Sequence, residues 1–222
     1  MFSLETLWTI LSTKLPVFMQ GAVVTVELAA WTVVGGSLLG IVVALLRMSR
    51  IRVIRFLSTA YVEFLRGTPM LVQVLIVYYG LPQMGIKLPR MTAGILALII
   101  NSGAYMAEIV RSGIQAIDGG QNEAARSLGM TSAQTMLYII LPQALKNILP
   151  AIGNEFVVII KESSILYTIG IYELTYQANK LASTNFHYLE TLTISALIYF
   201  VLTFTTSRVL GLLERRMGRA DR

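Results

Sequence analysis

Long apolar runs separated by short charged stretches set the rhythm of this chain. Val17 to Leu46 holds a single charge, Glu27, over more than the roughly 20 residues that a helix needs to cross a bilayer. Comparable runs occur at about 56–81, 91–114, 149–170 and 189–213, so the pattern predicts five spans. The fourth is the least apolar, because Glu155, Lys161 and Glu162 fall in it. Two arginine clusters set the count. Arg47, Arg50, Arg52 and Arg55 come after the first run, and Arg208, Arg215, Arg216, Arg219 and Arg222 come after the last. Basic residues stay in the cytoplasm. Five spans put both clusters on that side, with the N-terminus outside and the C-terminus cytoplasmic; four would separate them.

Between the third and fourth runs, residues 115–148 turn polar and helix-prone, and in this topology they form a cytoplasmic loop. Asp118-Gly119-Gly120 breaks the preceding helix. Asn122 can cap a short new one, with Glu123 in its first turn, where the helix dipole favours a carboxylate. Gly129 suits a left-handed helix end, and Thr131 with Gln134 reads as a capping box that starts a second helix, interrupted at Pro142. The expected product is a pair of short helices at an angle. Ala124, Ala125 and Leu128 would form a small-residue knob that admits close approach by another protein. An amphipathic helix lying on the membrane would carry Lys/Arg on one face and bulky apolar residues on the other, which this segment does not.

Composition supports a membrane protein. Of 222 residues, 55% are hydrophobic and only 14% charged, against about 25% charged in soluble chains. The net charge of +6 reads as the sign bias of membrane loops rather than a nucleic-acid surface, since the aromatics lie in the apolar runs. There is no cysteine and one histidine, His187, which excludes disulfides and thiolate metal sites and argues against an all-protein zinc site. Residues 1–16 carry Glu5 and Lys14 and do not read as a cleavable signal. No internal repeat or linker divides the chain, so residues 1–222 read as one domain.

Ionisable residues inside a membrane are functional candidates. Glu63/Arg66 and Glu108/Arg111 share an i,i+3 spacing that lets each pair meet on one helix face; they serve either as structural neutralisation or as an inner gate. Glu155 and Glu162, seven apart, share a face with Asn154 near it. Thr68-Pro69 breaks the second run, and irregular backbone at that depth is tolerated only against protein or a wet cavity. Such a break exposes amides and carbonyls suited to an amino acid's charged ends. Gly36, Gly40 and Ala44 form a smooth stripe for helix packing.

Glu123-Ala124-Ala125, then Gly129, then Ile139-x-Leu141-Pro142 resemble the loop of permease subunits in ATP-binding-cassette importers. Asn101-Ser102-Gly103-Ala104-Tyr105-Met106-Ala107-Glu108-Ile109-Val110-Arg111, Gly120-Gln121, Asn154-Glu155-Phe156, Lys161-Glu162-Ser163-Ser164 and Arg66-Gly67-Thr68-Pro69 look like motifs of the polar amino acid branch. The likeness covers roughly residues 17–212, with one departure: at 162–163 the family pattern is nearer Asp-Thr, which bears on side-chain specificity. The resemblance implies an all-α membrane protein with the type I importer permease fold and a cytoplasmic coupling-helix hairpin. It implies docking of Glu123, Ala124, Ala125, Leu128 and Gly129 on an ATPase, and a substrate pathway along Thr68, Asn101, Asn154, Glu155, Lys161, Glu162, Ser163 and Ser164. Two cassette ATPase subunits, a second permease copy or homologue, and an extracytoplasmic binding protein are the implied partners. The chain lacks a Gly-x-x-x-x-Gly-Lys-Ser/Thr phosphate loop, so ATP and Mg would be bound by the ATPase, and the chain is expected to be no enzyme itself. Nearby glutamates point to basic substrates (arginine, lysine or histidine), with glutamine-type amino acids as the alternative. An ion-coupled carrier would not need the hairpin, and an ion channel would need a filter or charged ring.

Overall fold

The structure is a computed structural model that describes residues 2–219. The predicted basic cluster partly escapes it: Arg222 lies outside the described residues, and the side chains of Arg215, Arg216 and Arg219 lie outside the described ones. The first helix, α1, runs Leu4–Arg47, beginning well before the apolar run does. Ser3 starts it by accepting a hydrogen bond from the Thr6 amide at 3.3 Å, and Pro16 is carried inside it. At 1.5 Å per residue its 44 residues extend about 66 Å, roughly twice the hydrocarbon thickness of a bilayer. The extra length is packed rather than loose. Ile10 and Phe18 bury against Leu174, Ala178 and Ile194.

The second apolar run divides into α2 (Arg52–Arg66), α3 (Met70–Leu75), a π-helical turn at Ile76–Gly80 and α4 (Leu81–Gln83). The chain bends by 108° between α2 and the Met70–Gln83 stretch. Pro69 accounts for this: it has no amide to donate to a preceding turn, and it keeps Thr68 out of helical geometry. Next come α5 (Arg90–Gln115), α6 (Gly119–Ser127) and α7 (Ser132–Thr135). A π turn at Met136–Ile140 joins α7 to α8 (Leu141–Glu162), and 3-10 turns extend α8 over Ser163–Ile169. The chain closes with α9 (Leu174–Asn185) and α10 (Tyr188–Arg219). Among the described residues four helices are long and apolar enough to cross a membrane, or five if the bent pair is one span.

Two boundaries differ from expectation. Pro142 does not interrupt a helix. It falls in the first turn of α8, where its missing N–H matters least, and the preceding π turn takes up the distortion. Ser132–Ile169 is therefore one helical stretch of 38 residues, and the excursion between α5 and this stretch is shorter than 115–148.

Helices α1 and α5 form the spine. Gly36 and Gly40 let their backbones approach: a Cβ at Gly40 would lie 2.4 Å from Met106 Cβ and 2.9 Å from the Ala107 amide, and one at Gly36 would lie 2.7 Å from Ser102 Oγ. Val43 and Ala44 continue the contact into a core with Val62, Leu65, Ala104 and Ala107. Trp31, Val34, Leu38, Phe200 and Val201 stay exposed, as side chains facing lipid can.

Replacing Gly40 with Val should therefore lower thermal stability of the detergent-solubilised protein by about 1–3 kcal/mol, the usual penalty of overpacking. Gly211→Ala, where an added Cβ meets nothing within 4 Å, should not lower the unfolding temperature and should raise it slightly, as replacing a helical glycine does.

Candidate functional site

The break at Gly67–Pro69 strips backbone carbonyls of their helical donors, and the structure resupplies them from one side chain. Gln73 Nε2 donates to Leu65 O at 2.8 Å, Thr68 O at 3.2 Å and Thr68 Oγ1 at 2.9 Å. Asn101, on α5, donates to Gln73 Oε1 at 2.9 Å and holds the amide in that orientation. Thr68 Oγ1 in turn donates to Phe64 O at 2.8 Å. The two predicted residues, Thr68 and Asn101, are brought together, but through Gln73. These carbonyls are engaged within the chain rather than open to a ligand. Gln73 carried one sequence signal, a lone amide inside the apolar stretch 70–77.

Beyond the break lies a cleft of about 350 Å³, lined by Met70, Glu162, Ser164, Ile165, Tyr167 and Thr175. Glu162 and Ser164 were expected at such a site. The switch from α-helical to 3-10 winding at Ser163 puts both on the cleft wall while Ser163 between them is fully buried, donating to Ile160 O at 2.9 Å. Asn154 and Lys161 are exposed elsewhere on α8, and Glu155 is buried. Ser163, Asn154, Lys161 and Glu155 do not line the cleft. Met70, Tyr167 and Thr175 were not anticipated, because they belong to the neighbouring elements that close it.

Behind Thr175 sits a carboxylate that the sequence pattern did not flag. Glu173 is completely buried and caps α9, accepting from the amides of Thr175 at 2.8 Å and Tyr176 at 2.7 Å. It also accepts from the Tyr199 hydroxyl at 2.8 Å, and Tyr199 lies 3.0 Å from Thr175 Oγ1.

The expected Glu63–Arg66 pair is not formed. Val62 and Leu65 turn the buried face of α2 to the core, which leaves Glu63 exposed and free of any ion pair among the described residues. Arg66 lies over the Tyr105 ring at 5.4 Å and reaches Glu108 at 3.9 Å. Glu108 does pair with Arg111, as its spacing predicts, and Arg47 of α1 joins at 2.6 Å. One carboxylate thus ties three arginines from α1, α2 and α5. Arg47 was missed because the end of α1 and the middle of α5 are distant in sequence.

In the hairpin, Asp118 rather than Asn122 caps α6. Its side chain accepts from the Gly120 amide at 2.7 Å, so the helix starts earlier and Asn122 and Glu123 fall inside it. Gly129 is left-handed, with φ at 85°, and the Thr131–Gln134 capping box is complete. Arg126 donates to Met130 O at 2.7 Å and closes the turn. Ala125 faces inward, only 5% exposed, because α6 rests on the π turn and a small residue allows the approach. The exposed tip is therefore Glu123, Ala124, Leu128 and Gly129, with Leu128 85% exposed.

The pattern of the family described as binding-protein-dependent transport system inner membrane component matches residues 36–219. The arginine transport system permease protein of Bacillus subtilis is 38% identical over 94% of this chain and 95% of its own length. A probable glutamine ABC transporter permease protein of the same organism is 39% identical over 96% of this chain and 98% of its own. A crystal structure of an amino acid ABC transporter with histidines superposes with a TM-score of 0.89 and 52% identity, covering 93% of this chain and 96% of that one. The chain belongs to this family, as a membrane-embedded permease subunit of an amino acid ATP-binding-cassette importer with the type I permease fold; it is a translocation component and not an enzyme.

The Glu108 cluster yields a direct contrast. Glu108→Gln keeps the shape but leaves three guanidinium groups without their common carboxylate, and should destabilise the solubilised protein by about 1.5–3 kcal/mol, the worth of a hydrogen bond to a charged group. Glu63→Gln should change stability by less than about 0.5 kcal/mol, as surface substitutions do. Equal effects in thermal unfolding would contradict this assignment.

Proposed function

We propose that this permease carries amino acids with a basic side chain, arginine, lysine or histidine. The observation that bears most of this reading is the carboxylate of Glu162 on the wall of the cleft beside Met70 and the helix break. Glu155, two turns earlier on the same helix, is buried outside the cleft wall, and Ser164 supplies a neutral polar contact. Relatives are named for arginine and for glutamine, so glutamine-type amino acids are the second reading. Thr68 and Asn101 shape the pathway by holding the break, while Asn154, Lys161 and Ser163 support the α8 side of it.

The whole chain acts as one permease domain of five spans, the bent α2–α4 region counting as one, with its N-terminus outside and its C-terminus in the cytoplasm. It pairs with a second permease, identical or homologous, and receives substrate from an extracytoplasmic binding protein. Two cassette ATPase subunits hold ATP and Mg, and dock on the hairpin tip at Glu123, Ala124, Leu128 and Gly129 on the cytoplasmic side. An exposed leucine beside a left-handed glycine, on a helix held rigid by two caps, suits insertion into a partner's groove.

Glu162→Gln in the reconstituted importer tests the substrate. It removes the charge and keeps the shape, and the lost attraction is worth about 1–3 kcal/mol, roughly ten- to hundredfold. Uptake of arginine should fall by that factor, uptake of glutamine far less, and basal ATP hydrolysis should persist. An equal loss for both would move the assignment to the glutamine reading or to a structural role.

Gly129→Asp tests the docking. Within the chain nothing lies within 4 Å of an added Cβ, so the substitution adds only the strain of a positive φ, about 1 kcal/mol. The subunit should insert normally yet lose ATP-driven transport. Retained transport would place the ATPase contact elsewhere.

A further inference from the structure

The polarity of the cleft wall at Thr175 is set by a chain of hydrogen bonds whose far end is fixed. Glu173, fully buried, is met by donors alone: the Thr175 and Tyr176 amides and the Tyr199 hydroxyl. A carboxylate only accepts, and a phenol has one proton. Burial pushes the Glu173 carboxyl up to about 7, so above that pH, where it is ionised, Tyr199 commits its proton to Glu173 Oε2 at 2.8 Å. In the next contact, 3.0 Å between Tyr199 and Thr175 Oγ1, the phenol has only lone pairs left, so Thr175 is the donor. A hydroxyl that has given its single proton to the interior shows only lone pairs to the cleft. Glu162, across the same space, also only accepts.

Resting on the transport reading above, we infer that Thr175 is a specificity-determining residue, fixed as an acceptor by Tyr199 and Glu173, and that the group seated between it and Glu162 is a protonated nitrogen of the substrate. Glu173 and Tyr199 do not line the cleft; they are positioning residues that act through Thr175. A neutral amide oxygen or a carboxylate at this place would meet lone pairs on both sides and go unpaired. The α-ammonium and a cationic side chain share the required chemistry.

Equilibrium binding to the solubilised permease–ATPase complex distinguishes them with three probes. These are arginine, citrulline (neutral side chain, ammonium kept) and N-acetylarginine (guanidinium kept, ammonium blocked). Thr175→Val should weaken arginine about tenfold, the effect expected of one lost hydrogen bond to a charged group, and Thr175→Ser should restore it. The analogue lacking the nitrogen that sits here should bind the wild type weakly and lose nothing further in Thr175→Val. Tyr199→Phe should give a partial form of the same selectivity defect from outside the cleft, because the Thr175 proton loses its Tyr199 acceptor and keeps only Glu173 on the inner side. Its two amide bonds let Glu173 still cap α9, so this variant should fold, with an unfolding temperature lowered by the loss of one hydrogen bond to a buried charged group; the change of selectivity among the probes, and not stability, is the readout. Arginine binding indifferent to Thr175→Val, uniform weakening of all three probes, or wild-type affinity in Tyr199→Phe would each overturn the inference while leaving the transport reading standing. A wild-type complex that binds none of the probes would overturn both.

Discussion

Backbone polar groups in a lipid environment have no water to turn to, so every irregularity in a spanning helix must be repaired from within the protein. In this chain the repair at the second span is made by one amide. Gln73 reaches Leu65 O, Thr68 O and Thr68 Oγ1, and Asn101 pins it from α5. This small network supplies donors to Leu65 O and Thr68 O where the chain turns by 108°. Met70 comes directly after the turn and becomes part of the cleft wall. The cleft exists because the break is tolerated there, and α5 is near enough to help because it packs directly against α2 and α3.

The cleft and the hairpin belong to one element. Ser132–Ile169 runs as 38 residues of continuous helical winding, about 57 Å at 1.5 Å per residue. The hairpin rests against its first part through Ala125 and the π turn, and its last part carries Glu162 and Ser164. On the proposed reading, a push on Leu128 and Gly129 from a closing ATPase meets a short stiff helix seated on the root of this rod. The π turn near its start and the 3-10 turns at its end are departures from regular α-helix along it, the kind of local irregularity that is frequent at functional sites and hinges. The Glu108 cluster braces the other side, fastening α1, α2 and α5 at the level where their arginines converge.

How much of the fold and the site is legible in the chain depends on the range of the physical signal. Apolar runs, the Pro69 break, the left-handed Gly129 and the Thr131–Gln134 box are local, and each needs only a few neighbouring residues to be recognised. Asn122 lost the cap to Asp118 because both types can cap and the choice turned on which residue left the preceding helix first. The i,i+3 rule found Glu108–Arg111 but misassigned Glu63–Arg66, since helix spacing says which residues are neighbours on one surface and nothing about a stronger partner on the next helix. Ala125 was read as part of an outer knob for the same reason. A small residue suits close approach equally well to a partner protein or to the chain's own π turn.

Glu173 shows the limit most clearly. In sequence it is a lone acid between Tyr172 and Leu174 after a glycine turn, indistinguishable from a solvated loop residue. In the fold it has no exposure and gathers two amides and a phenol from an element 26 residues away. A buried carboxylate is tolerated when every lone-pair direction that faces protein finds a donor, and here the donors are a helix N-terminus and Tyr199. That arrangement makes the tyrosine directional, and a directional tyrosine makes Thr175 an acceptor. The chemistry presented to the cleft is thus decided by residues that do not touch it, which is why reading the cleft wall alone, in sequence or in structure, would assign Thr175 the ambiguous character of any hydroxyl.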